Sequence, residues 1–218
     1  MNTLFKSLLT LFVFGTLCIP KLAAQNKIAK LKNTWGVKAF YRLPTGLLQE
    51  LSGPATGISF LYRSNPAFQA SVRMSFDVAR SGSTNTVFNT FYVNGTALGE
   101  TQATFNNVSE MSFSLGYDFF VIESLPQLYI SPTFFAGKRE INCTYVKPYA
   151  TNTYDFPANF GGFRLTVGGE YRMSKLRLFA ELSAAYEVSQ HMLLYDLNPN
   201  QFNFVHSQQL DFGVGVRF

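Results

Sequence analysis

The stretch QLDFGVGVRF, residues 209–218, alternates without a break between two kinds of side chain. Its apolar positions are Leu210, Phe212, Val214, Val216 and Phe218, and between them lie Asp211, Gly213, Gly215 and Arg217. A period of two places the two sets on opposite faces of a β-strand. One face of this strand therefore meets an apolar medium and the other face meets a polar one.

Seven other segments have the same period, and with the last one they predict eight strands. In LRLFAELSAAYEVS (176–189), for example, the even-numbered residues are apolar and the odd-numbered residues include every charge. The predicted strands are 35–42, 56–63, 68–79, 111–121, 128–137, 162–172, 176–189 and 209–218.

The ionisable residues of these segments all fall on one face of their strands. They are Lys38, Arg42, Arg63, Arg73, Asp77, Asp118, Arg164, Glu170, Arg172, Arg177, Glu181, Glu187, Asp211 and Arg217. A soluble β-sandwich also alternates, but its strands are usually shorter than most of these. The strict separation of charge therefore favours strands whose apolar face meets lipid.

The connections between the predicted strands alternate in length. Residues 43–55, 80–110, 138–161 and 190–208 are long and polar, whereas 64–67, 122–127 and 173–175 are short. Short periplasmic turns and long outer loops are typical of antiparallel barrels in the outer membrane. The predicted fold is all-β, an eight-stranded antiparallel transmembrane β-barrel with an up-and-down meander. Because the strand number is even, we expect both termini in the periplasm.

The N-terminus has the features of a secretory signal peptide. Lys6 precedes the apolar run LLTLFVFGTLCIP, and the small residues Ala23 and Ala24 follow it. We therefore predict a signal peptide at 1–24 and a barrel domain at 25–218, with cleavage after Ala24. No later stretch approaches the roughly 20 apolar residues that a membrane helix needs.

Charge and cysteine content argue against several other classes of protein. Removal of Lys6 and Lys21 with the leader lowers the formal charge from +5 to +3, too small a value to suggest a nucleic-acid partner. Only Cys143 remains after cleavage, so a disulfide framework is not expected. The sequence contains no metal-binding cluster and suggests no cofactor.

The leader, the eight amphipathic segments and the terminal FGVGVRF resemble the small outer-membrane β-barrel family of the OmpA and OmpX type, in a stand-alone, PorT-like form. In that family the closing strand ends in an aromatic residue that the barrel-assembly machinery recognises. The resemblance thus implies that Phe218 acts as an insertion signal. It also implies the outer membrane of a Gram-negative bacterium as the location.

An eight-stranded barrel has an interior that side chains just fill. We therefore predict an ion-pair network in the lumen, formed by Arg73, Asp77, Asp118, Arg164, Glu170, Arg172, Arg177, Glu181, Glu187, Asp211 and Arg217. The glycines at 161, 162, 168, 169, 213 and 215 are interpreted as positions that relieve crowding by large inward rings.

Function is then expected on the outer loops, because binding residues commonly lie in loops on a rigid scaffold. The third loop provides the binding candidates Lys138, Arg139, Tyr145, Lys147 and Tyr149. This composition suits anionic lipopolysaccharide or a protein partner. The leading hypothesis is a non-enzymatic barrel that stabilises the envelope or serves as accessory subunit of a larger complex for secretion or uptake.

Two alternatives remain open from the sequence. The first is a lipid A-modifying hydrolase or acyltransferase that uses His191 or His206 with a nearby residue such as Ser189, Ser207 or Glu187. The second is a small pore, which would require a hydrated lumen.

Overall fold

The computed structural model describes residues 33–46, 53–64, 70–82, 86–93, 96–122, 127–147, 150–173, 175–190 and 204–218. They form nine β-strands, and each strand pairs only in the antiparallel sense. The strands are β1 (Thr34–Gly46), β2 (Ala55–Arg63), β3 (Ala70–Gly82), β4 (Thr86–Val93), β5 (Thr96–Ile122), β6 (Gln127–Lys147), β7 (Ala150–Met173), β8 (Leu176–Gln190) and β9 (Phe204–Arg217). No helix capable of crossing a membrane is found in these ranges.

Eight of the strands close into a barrel. Chain neighbours pair throughout the ring, except that β3 pairs with β5, and β9 pairs with β1 to close the circle. At the seam Trp35 and Phe218 exchange backbone hydrogen bonds of 3.1 and 2.9 Å. The predicted eight-stranded antiparallel barrel is confirmed. Closure removes the unpaired strand edges that a membrane would not tolerate.

The wall of the barrel separates apolar and polar side chains as the sequence predicted. Large apolar residues are exposed on the outside of every strand of the ring, among them Trp35, Phe60, Phe134 and Val214, the last at 65% exposure. A protein in water rarely exposes an apolar surface that is continuous around the molecule. This surface therefore belongs in lipid, and the chain is a transmembrane barrel.

The barrel has two unlike ends. We call the end where β1 begins and β9 ends the lower end, and the opposite end the upper end. Four polar residues are exposed on the outer wall at the next outward-facing position above the apolar residues. They are Arg80, Ser109, Lys138 and Asn159. They are neighbours in the sheet, since Arg80 pairs with Ser109 and Lys138 pairs with Asn159. This row marks the upper boundary of the lipid-facing surface.

Beyond this boundary the prediction of two long loops, at 80–110 and 138–161, was wrong. Strands β5, β6 and β7 continue upward, and β4 pairs with the first part of β5. The ten residues of β6 above the boundary, 138–147, extend about 30 Å along the strand at roughly 3.3 Å per residue. We call these parts of β4, β5, β6 and β7 the extension.

The predicted signal peptide and the residues that follow it, 1–32, lie outside the described residues, as do 191–203. The division into a leader at 1–24 and a barrel domain at 25–218 stays a prediction.

Candidate functional site

The lumen contains the densest set of charged groups in the described residues. Strand alternation turns them inward, and they form two groups of ion pairs, one in each half of the barrel. We call them the lower cluster and the upper cluster.

Glu181 is the centre of the lower cluster. Its carboxylate accepts hydrogen bonds from Lys38 Nζ at 2.9 Å, from Arg73 Nη2 at 2.8 Å and from the Tyr129 hydroxyl at 2.6 Å. Arg217 Nη2 approaches the same carboxylate at 3.4 Å. Four strands, β1, β3, β6 and β9, are thus tied to one side chain of β8.

Two further carboxylates complete the lower cluster. Asp118 accepts from Arg63, Arg73 and Ser131. Glu170 accepts from Arg63 Nη1 at 2.7 Å, from Arg217 Nη1 at 2.5 Å and from Arg177 Nη1 at 2.9 Å.

In the upper cluster Arg42 and Arg139 are held between carboxylates. Arg42 donates to Asp211 at 2.9 and 3.1 Å and to Glu110 Oε2 at 2.6 Å. Arg139 donates to Glu110 Oε1 at 2.6 Å and to Glu187 at 2.8 and 3.0 Å.

The remaining pair of the upper cluster links it toward the middle of the barrel. Arg164 Nη1 donates to Asp77 Oδ2 at 2.9 Å, and Ser59 Oγ donates to Asp77 Oδ1 at 2.5 Å. Arg164 also lies 3.7 Å from Asp211, which itself binds Arg42. Arginine suits this setting, because its planar group binds carboxylates in pairs and stacks on rings.

Aromatic rings occupy the spaces between these charges. The Arg217 guanidinium lies 4.3 Å from the ring centroid of Phe179, and Arg139 lies 4.6 Å from that of Phe160. Arg63 lies 4.7 Å from the Tyr129 centroid, and Arg164 lies 5.0 Å from that of Phe135. These are cation–π distances, and at buried positions each adds attraction to the hydrogen bonds.

Glycine stands directly across the strand pair from each of these inward rings. The pairs in register are Phe40 with Gly57, Tyr129 with Gly168, Phe135 with Gly162, Phe160 with Gly137, and Phe179 with Gly215. A Cβ added at Gly168 would overlap the ring of Tyr129, and one at Gly215 would lie 2.5 Å from Phe179 Cζ. The glycines thus let the rings lie against the wall, which leaves the centre of the lumen to the guanidinium groups.

The ion-paired side chains of the lumen, apart from Arg177, are at most 7% exposed. A continuous aqueous channel would leave the side chains that line it exposed to water. The lumen is therefore filled along both clusters.

An apolar layer follows the upper cluster where the barrel continues into the extension. Val108, Ile141, Cys143 and Ala158 lie on the inner face of β5, β6 and β7, and none is more than 4% exposed. The outer face at the same height is polar, with Asn107 and Glu140 exposed. The sequence analysis did not identify this layer.

Sequence reasoning also placed two members of the upper cluster outside the lumen. Glu110 was assigned to a loop, and Arg139 was predicted to bind a ligand outside the barrel. Arg139 instead lies in β6 with its side chain 1% exposed inside the lumen, so that prediction was wrong. Arg172 was also predicted to join the network; its side chain is exposed at the lower end of β7, and its membership stays a prediction.

The other loop candidates have different positions. Lys138 is exposed at the upper boundary of the outer wall, as a surface binding residue requires. Tyr145 and Lys147 belong to the upper part of β6, where the structure describes the strand and not their side chains. Tyr149 lies outside the described residues.

The groups proposed for a hydrolase lie on two sides of the wall. His206 is exposed on the outside, and its Nδ1 is 2.8 Å from the hydroxyl of Tyr186, whose ring stacks on it. Ser189, Ser207 and Glu187 are buried on the inside, and Glu187 is paired with Arg139. His191 lies outside the described residues. Within the described ranges no three His, Cys, Asp or Glu residues are grouped to hold a metal ion.

These features define the class of the protein as a small transmembrane β-barrel of the outer-membrane type, with a filled lumen.

Neither a family model nor a curated protein sequence matches the chain. The three solved structures described below are distant from this chain in sequence. A major outer membrane protein of Thermus thermophilus shares 14% identity over 86% of this chain and 99% of its own, with a TM-score of 0.45.

Two other structures have comparable similarity. Ail, the attachment invasion locus protein of Yersinia pestis, shares 13% identity over 86% of this chain and 100% of its own, with a TM-score of 0.45. The outer membrane protease OmpT of Escherichia coli shares 9% identity over 90% of this chain and 99% of its own, with a TM-score of 0.47. The predicted likeness to small outer-membrane barrels is a likeness of fold.

Proposed function

We propose that the protein is a non-enzymatic outer-membrane barrel, closed to solutes, that acts as a structural or accessory component of the cell envelope through its extension. The observation that carries this proposal is the filled, ion-paired lumen. A barrel that encloses no free space has its outer wall, its rims and the extension available for interaction.

The filled lumen argues against a pore. Opening a channel would require several carboxylate–guanidinium pairs to separate inside a low-dielectric wall, where breaking a buried pair costs about 3–5 kcal/mol. In planar bilayers the purified protein is expected to give no regular single-channel steps.

The position of His206 argues against a hydrolase built on that residue. A general base must lie within about 3.2 Å of the proton that it removes, or one water away. The β8 and β9 backbones separate His206 from Ser189, Ser207 and Glu187, because neighbouring residues of a strand face opposite sides. Its hydroxyl partner is Tyr186, which faces the same side.

The proposed orientation places both termini in the periplasm and the extension outside the cell. Short connections at the lower end and strands that continue at the upper end follow the usual pattern of such barrels. The exposed cation Lys138, at the upper boundary, would then face the phosphates of lipopolysaccharide. During biogenesis the barrel-assembly machinery is the expected partner of the last strand.

Crosslinking in intact outer membranes, followed by affinity purification, tests the proposed role. The comparison is between the full chain and a variant in which residues 86–104, which contain β4 and the start of β5, are replaced by a short turn. A stoichiometric partner recovered only with the full chain would support an accessory role of the extension.

Two other measurements address the alternatives. An acyl-chain difference in lipid A that depends on the gene and disappears with His206→Ala would overturn the proposal in favour of an enzyme. Regular conductance steps would overturn it in favour of a pore.

A further inference from the structure

The lower cluster carries more positive than negative charge. In the described part of the chain it contains five cations and three carboxylates, whereas the upper cluster contains three cations and four carboxylates. The members of the lower cluster are Lys38, Arg63, Arg73, Arg177, Arg217, Asp118, Glu170 and Glu181. A buried charge is costly unless it is paired with an opposite charge. The surplus of two positive charges therefore favours a bound anion at this end of the lumen.

Like charges also face each other across neighbouring strands of the lower cluster. Arg63 of β2 is in register with Arg73 of β3. Arg177 of β8 is in register with Arg217 of β9. Like charges directly opposite each other destabilise a sheet. Because three of these four arginines share the single carboxylate of Glu170, the carboxylates of the cluster compensate them only in part.

Hydrogen-bond donors without a partner lie at the same end. Four buried donor atoms have no hydrogen-bond partner among the described residues, namely Thr34 Oγ1, Arg63 Nη2, Ser71 Oγ and Arg217 Nε. Their residues are at most 6% exposed and stand at or next to the lower ends of β1, β2, β3 and β9. An unpaired buried donor is costly, and hydroxyl and guanidinium groups are donors that bind oxyanions well. The unpartnered donors therefore point to the same kind of ligand as the surplus charge.

Arg177 marks the side from which an ion would enter. Its side chain is 13% exposed, whereas every other charged side chain of the lower cluster is at most 5% exposed. It is the second residue of β8, at the lower end of the barrel. Water and small ions therefore reach the lower cluster from below.

We propose that the lower mouth of the lumen binds a small tetrahedral oxyanion of the phosphate or sulfate type, held by the unpartnered donors of Thr34, Arg63 and Ser71. A phosphate group carries a charge of about −1.5 to −2 at neutral pH, which matches the surplus of the cluster. Its oxygens accept from hydroxyl and guanidinium groups in several directions at once. The ligand is a free ion, because the donors lie inside the wall and lipid headgroups lie outside it. Binding here is independent of the envelope role proposed for the extension.

Equilibrium dialysis against radiolabelled inorganic phosphate tests the site. The full chain is folded in a maltoside detergent that contains no phospholipid, at neutral pH and at a constant ionic strength set with chloride. A single phosphate is expected to bind per chain and to saturate. Sulfate should displace it, since sulfate has the same shape and a similar charge, whereas nitrate at an equal concentration should not.

Two variants remove a proposed donor without breaking an ion pair. Ser71→Ala and Thr34→Val each delete a hydroxyl that has no partner among the described residues. The dissociation constant of phosphate should rise about tenfold in each, the size expected for one hydrogen bond to a charged group. A change in gel mobility on boiling confirms that each variant is a folded barrel.

Ser207→Ala is the matched control. The Ser207 hydroxyl is also buried and without a partner in the described residues, but it lies in the upper half of the barrel, in register with Glu187. Its loss should leave phosphate binding unchanged. Equal constants for Ser71→Ala and Ser207→Ala would contradict the proposal, and so would the lack of saturable phosphate binding to the unaltered chain.

Two further arms identify competing occupants of the site. Glu123 is the one acidic residue that the sequence contains in the connections 64–69, 123–126 and 174–175, and it lies outside the described residues. Phosphate binding that appears only in Glu123→Gln would assign the site to this carboxylate and overturn the proposal. Binding of dihexanoyl phosphatidic acid without binding of inorganic phosphate would overturn it in favour of a lipid headgroup.

Discussion

At the scale of single residues, the lumen combines three kinds of side chain that depend on one another. A glycine makes room for a ring on the neighbouring strand, the ring lies along the wall, and a guanidinium group stacks on the ring while it binds carboxylates from other strands. The glycine, the ring and the guanidinium group would each have a weak or unfavourable effect on stability without the other two. Together they fill the narrow interior with paired groups of opposite charge.

The glycine part of this arrangement was predicted from the sequence in general terms, and Gly168 gives it a test. Gly168→Ala places a methyl group where the ring of Tyr129 lies, so the ring must move and its 2.6 Å hydrogen bond to Glu181 is lost. Overpacking of this kind costs about 1–3 kcal/mol in the free energy of unfolding.

The matched control is Gly169→Ala, whose added Cβ would meet Leu128 at 3.4 Å on the outer wall. We expect its stability to stay within about 0.5 kcal/mol of the unaltered protein, which is typical of a tolerated surface change. Urea unfolding in lipid vesicles measures both variants. Equal effects of the two substitutions would contradict the packing account.

Glu181 provides a second test at this scale. Glu181→Gln keeps the shape of the side chain but removes the charge that Lys38, Arg73 and Arg217 share. Breaking a buried ion pair by neutralising one partner costs about 3–5 kcal/mol, because cations are left without a counter-charge.

Glu140→Gln is the control, because Glu140 is exposed on the outer face of the extension. Its effect on the urea midpoint should be near zero, as for most surface charges. If Glu181→Gln were as harmless, the charge of Glu181 would contribute nothing to the stability of the barrel.

At the scale of strands, the sequence predicted the eight-stranded barrel but not the extension above it. In the membrane the outer residues are apolar and the lumen residues polar, whereas in the extension Val108 and Ile141 face inward and Asn107 and Glu140 face outward. The period of two continues across the boundary, but its polarity reverses where the outer medium changes from lipid to water. A search for a continuous apolar face therefore left the upper parts of β5, β6 and β7 out of the predicted strands.

The same reversal explains the members of the network that were missed. Glu110 and Arg139 are inward residues at the boundary, where the outward neighbours Ser109 and Lys138 are already polar. Where both faces of a strand carry polar residues, the sequence no longer alternates between apolar and polar residues, so the strand cannot be recognised from this pattern.

The reversal predicts that a charge above the boundary is tolerated on the outer face and not on the inner face. Ile141→Lys should destabilise the protein by several kcal/mol, since Ile141 is 1% exposed and the new charge would have no partner there. Glu140→Lys, one residue away on the outer face, should have little effect. Urea unfolding of the two variants measures this. If both were tolerated, the inner face of the extension would be open to water.

At the scale of the whole molecule, the last strand closes the ring and its terminal residue takes part in the seam. Phe218 exchanges two backbone hydrogen bonds with Trp35, and its ring is 62% exposed on the lower rim of the outer wall. The sequence predicted a terminal strand with an aromatic end, and the family resemblance suggested that this end is an insertion signal. The backbone of Phe218 closes the seam and its ring is the candidate signal, so a substitution of the side chain separates the two roles.

Phe218→Ala removes the ring and leaves the backbone bonds to Trp35 intact. If the ring is the insertion signal, this variant should accumulate in the periplasm, while the same protein purified from a denatured state should still fold in detergent and keep its change in gel mobility on boiling. Phe212→Ala is the matched control, because Phe212 is an exposed ring of the same strand at a position away from the end. Cell fractionation with an antibody against the chain measures the distribution. Equal membrane yield of the two variants would refute the signal, and a Phe218→Ala barrel that also fails to fold in detergent would assign the role of Phe218 to the seam.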